Sequence, residues 1–161
     1  MRRLLLIRHA KSSHKDLELD DHERPLNKRG ERDCVTMSRY LSEKDEQLDV
    51  IYTSTAIRAI DYAQTISDFT HITLVPDLSF YTFDSDEFIE ILKCLPDSVY
   101  SAGIVAHNPA ITKAVNRLTN DTIKKIPTSG IVAINCPVKH WSDLTEVRAS
   151  VDYFIYPKML C

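Results

Sequence analysis

Glycine is scarce in this chain: Gly30, Gly103 and Gly130 are the only three among 161 residues. That excludes a Walker A loop and a GxGxxG dinucleotide loop, which need clustered glycines to bring backbone amides against phosphates. Paired cysteines are missing as well. Cys34, Cys94, Cys136 and Cys161 form no CxxC, which argues against a zinc knuckle or a redox dithiol. Cys34 stands in helical register with Met37 and Leu41, so core packing is its expected role. No apolar run is long enough to span a bilayer. Met1-Arg2-Arg3-Leu4 starts like a secretory n-region, but the apolar run that follows ends at Arg8, too short for an h-region. A buried strand is expected there, with the cytoplasm as the default location. An excess of positive charge is also missing: 20 Lys and Arg face 23 Asp and Glu, for a net charge of -3. Neither a nucleic-acid nor a membrane-surface role is favoured by that balance. Any positive field is expected to be local, near Arg2, Arg3, Arg8 and Lys11. Trp141 and the tyrosines are scattered and make no stacking platform for bases.

What is present describes a globular protein, with 43% apolar and 27% charged residues. The length fits a single domain over residues 1–161, and a monomer is expected. Strand-like and helix-like segments alternate, which predicts an α/β fold with a largely parallel sheet. Strands are expected near Arg3–His9, Val50–Thr53, Ile72–Val75, Ala102–Ala106, Ile131–Asn135 and Glu146–Phe154. Helices are expected from Asn27 to Ser42, from Thr55, after an Asp84 or Ser85 cap, and from Asn108-Pro109.

Two of the strands end on histidine. Leu4-Leu5-Leu6-Ile7 runs into Arg8-His9, and Ile104-Val105-Ala106 runs into His107. Ligands of open α/β sheets bind at the carboxyl ends of strands, so two such histidines on parallel neighbours would share one site. Arginine can neutralise a phosphate, and an imidazole can carry one covalently. Arg58 is placed in the first turn of the second helix, where a cation opposes the helix macrodipole and an anion relieves it. A plain alternative is a solvated Arg58 paired with Asp61. Arg24, just before Pro25-Leu26, reaches over the same edge or pairs with Asp20, Asp21 or Glu23, and both readings stand. The loop from His14 to Glu23 mixes histidines and carboxylates, but at no compact metal-ligand spacing. His71 and His140 read as surface residues.

Five segments together carry a family resemblance. They are Leu5-Leu6-Ile7-Arg8-His9-Ala10-Lys11-Ser12-Ser13, Asp21-His22-Glu23-Arg24-Pro25-Leu26-Asn27-Lys28-Arg29-Gly30, Tyr52-Thr53-Ser54-Thr55-Ala56-Ile57-Arg58-Ala59, Val105-Ala106-His107-Asn108-Pro109 and Thr128-Ser129-Gly130. In this order they resemble the histidine phosphatase (phosphoglycerate mutase-like) superfamily, and its SixA-type phosphohistidine phosphatase branch in particular. The resemblance implies a three-layer α/β/α sandwich. It also implies His9 as nucleophile and Arg8, Arg58 and His107 around the transferred phosphate. Arg24 would be a further phosphate contact, and no metal or other cofactor is needed. Water would then hydrolyse phospho-His9. Phosphoryl transfer of this kind rests on positioning and charge neutralisation. The surrounding cations should keep His9 neutral, the form that attacks.

The chain departs from the family pattern in three places. Ala10 replaces a common Gly, and Lys15 stands where many relatives have a phosphate-binding Asn. No carboxylate stands near Phe80, where the broad family has its general acid. Asp77, Asp84 and Tyr81 are the nearby substitutes. A sugar alkoxide leaves poorly without a proton donor, whereas an imidazole, with a conjugate-acid pKa of about 6.5, leaves with little help. The expected substrate is therefore phosphohistidine on a protein, with a phosphotransfer domain as partner class. The alternatives are a phosphatase for a small phosphomonoester and a non-catalytic phospho-binding module. A mutase is disfavoured because no insertion is present to enclose its substrate.

Overall fold

The computed structural model describes residues 1–160, so Cys161 lies outside the described residues. Its centre is β1 (Arg2–Arg8), whose Leu4-Leu5-Leu6-Ile7 run is fully buried. An unbroken apolar strand needs cover on both faces, and alternate side chains find it on opposite sides. Leu4 and Leu6 join one core with α3 (Ser85–Lys93) and α4 (Ala110–Leu118), through Phe88, Leu92, Ile111 and Val115. Leu5 and Ile7 join the other with α1 (Lys28–Lys44) and α2 (Ile57–Thr70), through Cys34, Met37, Leu41, Tyr62 and Ile66. The three layers are those expected.

The sheet also contains β2 (Val50–Thr53), β3 (Leu74–Pro76), β4 (Ser101–Ala106), β5 (Ile131–Cys136) and β6 (Ser150–Ile155), in the order β3-β2-β4-β1-β5-β6. Only β5 runs against the others, pairing antiparallel with both β1 and β6. The parallel ladder sets Arg8 opposite Ala106. The next residues, His9 and His107, therefore leave the sheet side by side at its carboxyl edge.

Local chemistry fixes several boundaries. Asn27 caps α1 by accepting the Gly30 N–H at 2.8 Å. Asp84 caps α3 by accepting the amides of Asp86 and Glu87 at 2.8 and 3.3 Å. Gly30 abuts the Lys11 carbonyl so closely that a Cβ would collide with it, which seats the start of α1 against the chain leaving β1. Three elements start later than the sequence predicts. α2 begins at Ile57 because Ser54-Thr55-Ala56 form a turn in which the Ser54 hydroxyl accepts the Ala56 N–H. β3 begins at Leu74, after the left-handed cap at His71, with the Ile72 carbonyl accepting from Ser67 Oγ. β6 begins at Ser150 because Trp141–Asp143 forms a short turn and Ala149 N–H bonds to the Leu118 carbonyl instead.

The buried cysteines are packing residues: burial pushes the thiols of Cys34 and Cys136 up to about 12. His71 and His140 are exposed, as expected. No helix among the described residues is long and apolar enough to cross a membrane.

Candidate active site

His9 is 8% exposed, and its Nδ1 lies 2.8 Å from the Ala10 carbonyl. A carbonyl oxygen only accepts, so Nδ1 carries the proton and the lone pair resides on Nε2. Burial pushes the imidazole down to about 4, against the Ala10 hydrogen bond, and the charges of Arg58, Arg8 and Arg24 push the same way as burial. At neutral pH the ring is uncharged and nucleophilic. Its main chain is clamped on both sides: His9 N–H donates to the Ala106 carbonyl and Ser129 N–H donates to the His9 carbonyl, each at 3.0 Å. Ser129 holds this contact from a left-handed conformation, φ 64°. Gly130 follows in a tight turn, where a Cβ would meet the Pro127 carbonyl at 2.8 Å.

The His107 ring lies 5.1 Å from that of His9, centroid to centroid. Its Nε2 is 2.7 Å from Ser54 Oγ, and Arg58 Nη2 approaches Nδ1 at 3.4 Å. Arg58 can only donate, so Nδ1 accepts and Nε2–H points to Ser54. Burial, then His9 and Arg58, push His107 down to about 3. The rings of Tyr81 and Phe83 stand 5.3 and 5.1 Å from it, with Phe83 44% exposed at the rim.

Arg58 is 1% exposed. Its partner is Asp21 rather than Asp61: Nη1 donates to the Asp21 carbonyl at 2.6 Å and Nη2 to Asp21 Oδ2 at 2.8 Å. Arg24 takes up the pairing that its sequence reading offered with Asp21. Nη2 pairs with Asp21 Oδ1 at 3.2 Å and Nη1 lies 2.7 Å from His14 Nδ1, while its charge still acts on His9. Arg8 donates from Nη1 to the Ile126 carbonyl at 3.0 Å, and burial followed by Arg58 lowers its pKa. The Nε atoms of Arg8, Arg24 and Arg58 are each buried without a partner. Three crowded guanidinium groups with unused donors beside a neutral imidazole form an anion-binding, nucleophilic arrangement.

The structure thus brings His9, Arg8, Arg58, His107 and Arg24 to one edge. It does not bring Arg2 and Arg3 there. They sit at the far end of β1, so the positive field at the site draws on Arg8 without them.

Of the substitutes for the missing acid, Asp77 is occupied by Ser79, whose N–H and hydroxyl donate to Oδ1 at 2.9 and 2.7 Å. Asp84 is occupied as the α3 cap. Phe80, at the family position, is 1% exposed and packs against Tyr52 and Phe88. Tyr81 does reach the site, where its hydroxyl donates to Asp21 Oδ2 at 2.7 Å. Burial and Asp21 raise its pKa.

Asp21 is the residue that sequence reasoning undervalued. It appeared there as the first residue of a family segment and as one of three possible partners for Arg24, with no role of its own. Its carboxylate joins Arg24, Arg58 and Tyr81. Burial opposes ionisation, but those hydrogen bonds and charges prevail and hold Asp21 down to about 2. A carboxylate so held is no proton donor at neutral pH. The available signal was its position three residues before Arg24, within hydrogen-bond reach in a short turn. The loop histidines are engaged separately, His14 with Arg24 and His22 Nε2 with Thr55 Oγ1 at 2.7 Å. Among the described residues no group of three or more His, Cys, Asp or Glu stands close enough to hold a metal ion.

Comparisons with known proteins bear on the family and the fold. The profile of the histidine phosphatase superfamily (branch 1) matches residues 4–87, just over half of the chain. An uncharacterized protein of Mycobacterium leprae is 30% identical over 168 aligned positions, covering 94% of this chain and 100% of that protein. Among solved structures, the protein histidine phosphatase SixA complexed with tungstate superposes with a TM-score of 0.84 at 17% identity, covering 99% of both chains. A mycobacterial glucosyl-3-phosphoglycerate phosphatase superposes with a TM-score of 0.67 at 14% identity, covering 95% of this chain and 98% of that one.

Proposed function

Because the chain belongs to the histidine phosphatase superfamily, we propose that it is a phosphatase that carries the phosphoryl group on His9 and removes it from phosphohistidine on a protein. In the first step the Nε2 lone pair of His9 attacks phosphorus, and the P–N bond to the substrate imidazole breaks. The bonding pair stays on the departing ring, which leaves as neutral imidazole when its other nitrogen already holds a proton. Arg8, Arg58 and Arg24 balance the charge on the phosphoryl oxygens, and His107 borders the same space. Water then attacks phospho-His9, releasing inorganic phosphate and restoring the lone pair.

One observation carries the choice of leaving group. Asp21, the carboxylate in contact with the site residues, is held ionised at about 2, while Asp77 and Asp84 are spent on caps. A phosphomonoester would need a proton donor that these side chains do not offer, whereas phosphohistidine does not. The closer superposition on the protein histidine phosphatase than on the sugar-phosphate phosphatase supports the same choice.

The test is phosphate release from a phosphohistidine-bearing phosphotransfer domain, with wild type beside His9→Ala and a small phosphomonoester in parallel. Release from the phosphoprotein by wild type alone is the expected result. Turnover of the ester alone would replace this reading with a small-molecule phosphatase in which Tyr81 is the remaining donor. Phosphate binding by both proteins without turnover of either substrate would mean a binding module.

A further inference from the structure

The carboxyl edge carries a second basic feature, which shares Arg8 with the transfer step and adds three lysines that the step does not use. A cleft of about 390 Å³ opens beside the site, lined by Arg8, Asn108, Thr112, Lys113, Lys124 and Lys125. Arg8 belongs to both places, since its guanidinium interacts with Arg58 on one side and walls the cleft on the other. Lys113 comes from α4, and Lys124 and Lys125 from the segment that leads to β5. All three lysines are exposed, and among the described residues none is ion-paired to a carboxylate.

The uncharged polar groups of the cleft are already used. Asn108 Nδ2 donates to the Ile126 carbonyl at 2.9 Å, and its Oδ1 accepts from Thr112 Oγ1 at 2.7 Å. Thr112 Oγ1 in turn accepts the Ile126 N–H at 3.1 Å. The polar groups that the cleft still offers a ligand, beside the apolar Pro109, are therefore cationic: one guanidinium and three ammonium groups. Ammonium groups on flexible stems are point charges that tolerate variable geometry. A small metabolite is normally held by enclosure and a few directional hydrogen bonds, which this open cleft does not supply. Exposed Phe83 stands against His107 at the rim of the site. Basic groups and an exposed aromatic ring at the rim of one site suit a protein surface. In a chain of net charge -3, four cations gathered on one flank also give a directed field.

We propose that this cleft receives Asp or Glu side chains flanking the phosphohistidine on the partner protein, so that acidity around the phosphorylated residue sets substrate preference. This rests on the reading of the substrate as phosphohistidine on a protein.

The experiment compares two phosphohistidine peptides of equal length, one with glutamates beside the phosphohistidine and one with serines. Each is tested with wild type and with the combined Lys113→Ala, Lys124→Ala, Lys125→Ala variant. The quantity read is the ratio of kcat/KM for the two peptides within each enzyme. Turnover of the serine peptide shows that the variant is folded. The wild type should prefer the acidic peptide by about tenfold at low salt, with the preference shrinking as salt rises. The variant should show a ratio near one. Equal rates on both peptides by wild type, or an undiminished ratio in the variant, would overturn the proposal. A parallel arm measures fluorescence anisotropy of the same peptides without phosphate. If wild type hydrolyses neither phosphopeptide, the proposed function fails. The cleft proposal is then decided by whether the acidic peptide binds wild type more tightly than the variant.

Discussion

The two ends of β1 both carry arginine, and they treat it in opposite ways. At the amino end Arg2 is 4% exposed and fully matched, donating to the carbonyls of Asp97, Val99 and Lys139 and lying over the rings of Tyr100 and Trp141. Arg3 beside it pairs with Glu46 at 2.6 Å and Asp152 at 2.9 Å, and these partners raise its pKa against the cost of burial. At the carboxyl end Arg8 crowds Arg58, its pKa falls, and its Nε has no partner. Cations that hold a fold together are neutralised within it, whereas cations that await an anion are left partly unmatched. The strand is a structural pin at one end and a poised site at the other.

The sharpest way to break this contrast is to remove the nucleophile at the poised end. His9→Ala should lower phosphohistidine turnover by roughly 10³-fold or more, since His9 is the proposed phosphoryl carrier. Binding of inorganic phosphate, followed by its protection against thermal unfolding, should survive because the three arginines remain. Arg8→Ala comes next, with turnover down by roughly 10²-fold and little change in stability, because loss of a donor is offset by relief of repulsion with Arg58. Arg2→Ala should do the reverse. It removes four part-buried hydrogen bonds and two ring contacts of a 4% exposed side chain and should cost about 3 kcal/mol in urea unfolding, with kcat of the folded protein unchanged. Comparable stability losses in the Arg8 and Arg2 variants would end the distinction between the two ends.

Acid sharpens the contrast further. In the unfolded chain a histidine binds its proton near pH 6.5, whereas folded His9 and His107 wait until about 4 and about 3. Between those values the unfolded state holds more protons, so stability is complete above about pH 6.5 and drains away as pH falls toward 4. Asp21 acts lower down: its ionised form is stabilised in the fold, and that contribution is lost between the ordinary carboxyl value of 3.8 and about 2. Urea unfolding at a series of pH values should show a slope over the first window that flattens in His9→Asn. NMR titration of the imidazole C–H resonances should place His9 near 4. A His9 titration near 6.5 would mean that the ring is not desolvated as the geometry requires.

Much of this was legible in the chain. The apolar run of β1, the cap at Asp84 and the paired endings Arg8-His9 and Ala106-His107 depend on local pattern and strand parity, which sequence records directly. Arg58 was legible as a cation in the wrong turn of a helix. The loop from Lys11 to Arg24 was not. Its path depends on the Ser12–Leu26 bridge and on the seat of Gly30 against Lys11, both contacts between segments with no periodicity. Because that path places Asp21, the role of Asp21 was hidden with it. The cluster near the N-terminus misled for a related reason: closeness in sequence along an extended strand means separation in space.

Asp21 is also where the smallest predicted effect lies. Its carboxylate sits on Arg58 and Arg24, which the proposed reaction assigns to phosphate, so it would play two opposed parts. As an anion it competes with phosphate for Arg58 and Arg24, and as an acceptor it orients Arg58 beside His107. Asp21→Asn removes the charge but keeps the shape and the main-chain carbonyl that holds Arg58 Nη1. Inorganic phosphate should then inhibit more tightly, by about threefold, because like-charge repulsion is gone. The kcat should fall by a similar factor, because a neutral amide holds Arg58 less firmly than a charge-assisted pair. A purely structural Asp21 would instead move stability while leaving both the inhibition constant and kcat where they are. A fall in both constants, on a protein that melts like wild type, would mark Asp21 as the internal counter-charge that keeps the poised end of β1 assembled until phosphate arrives.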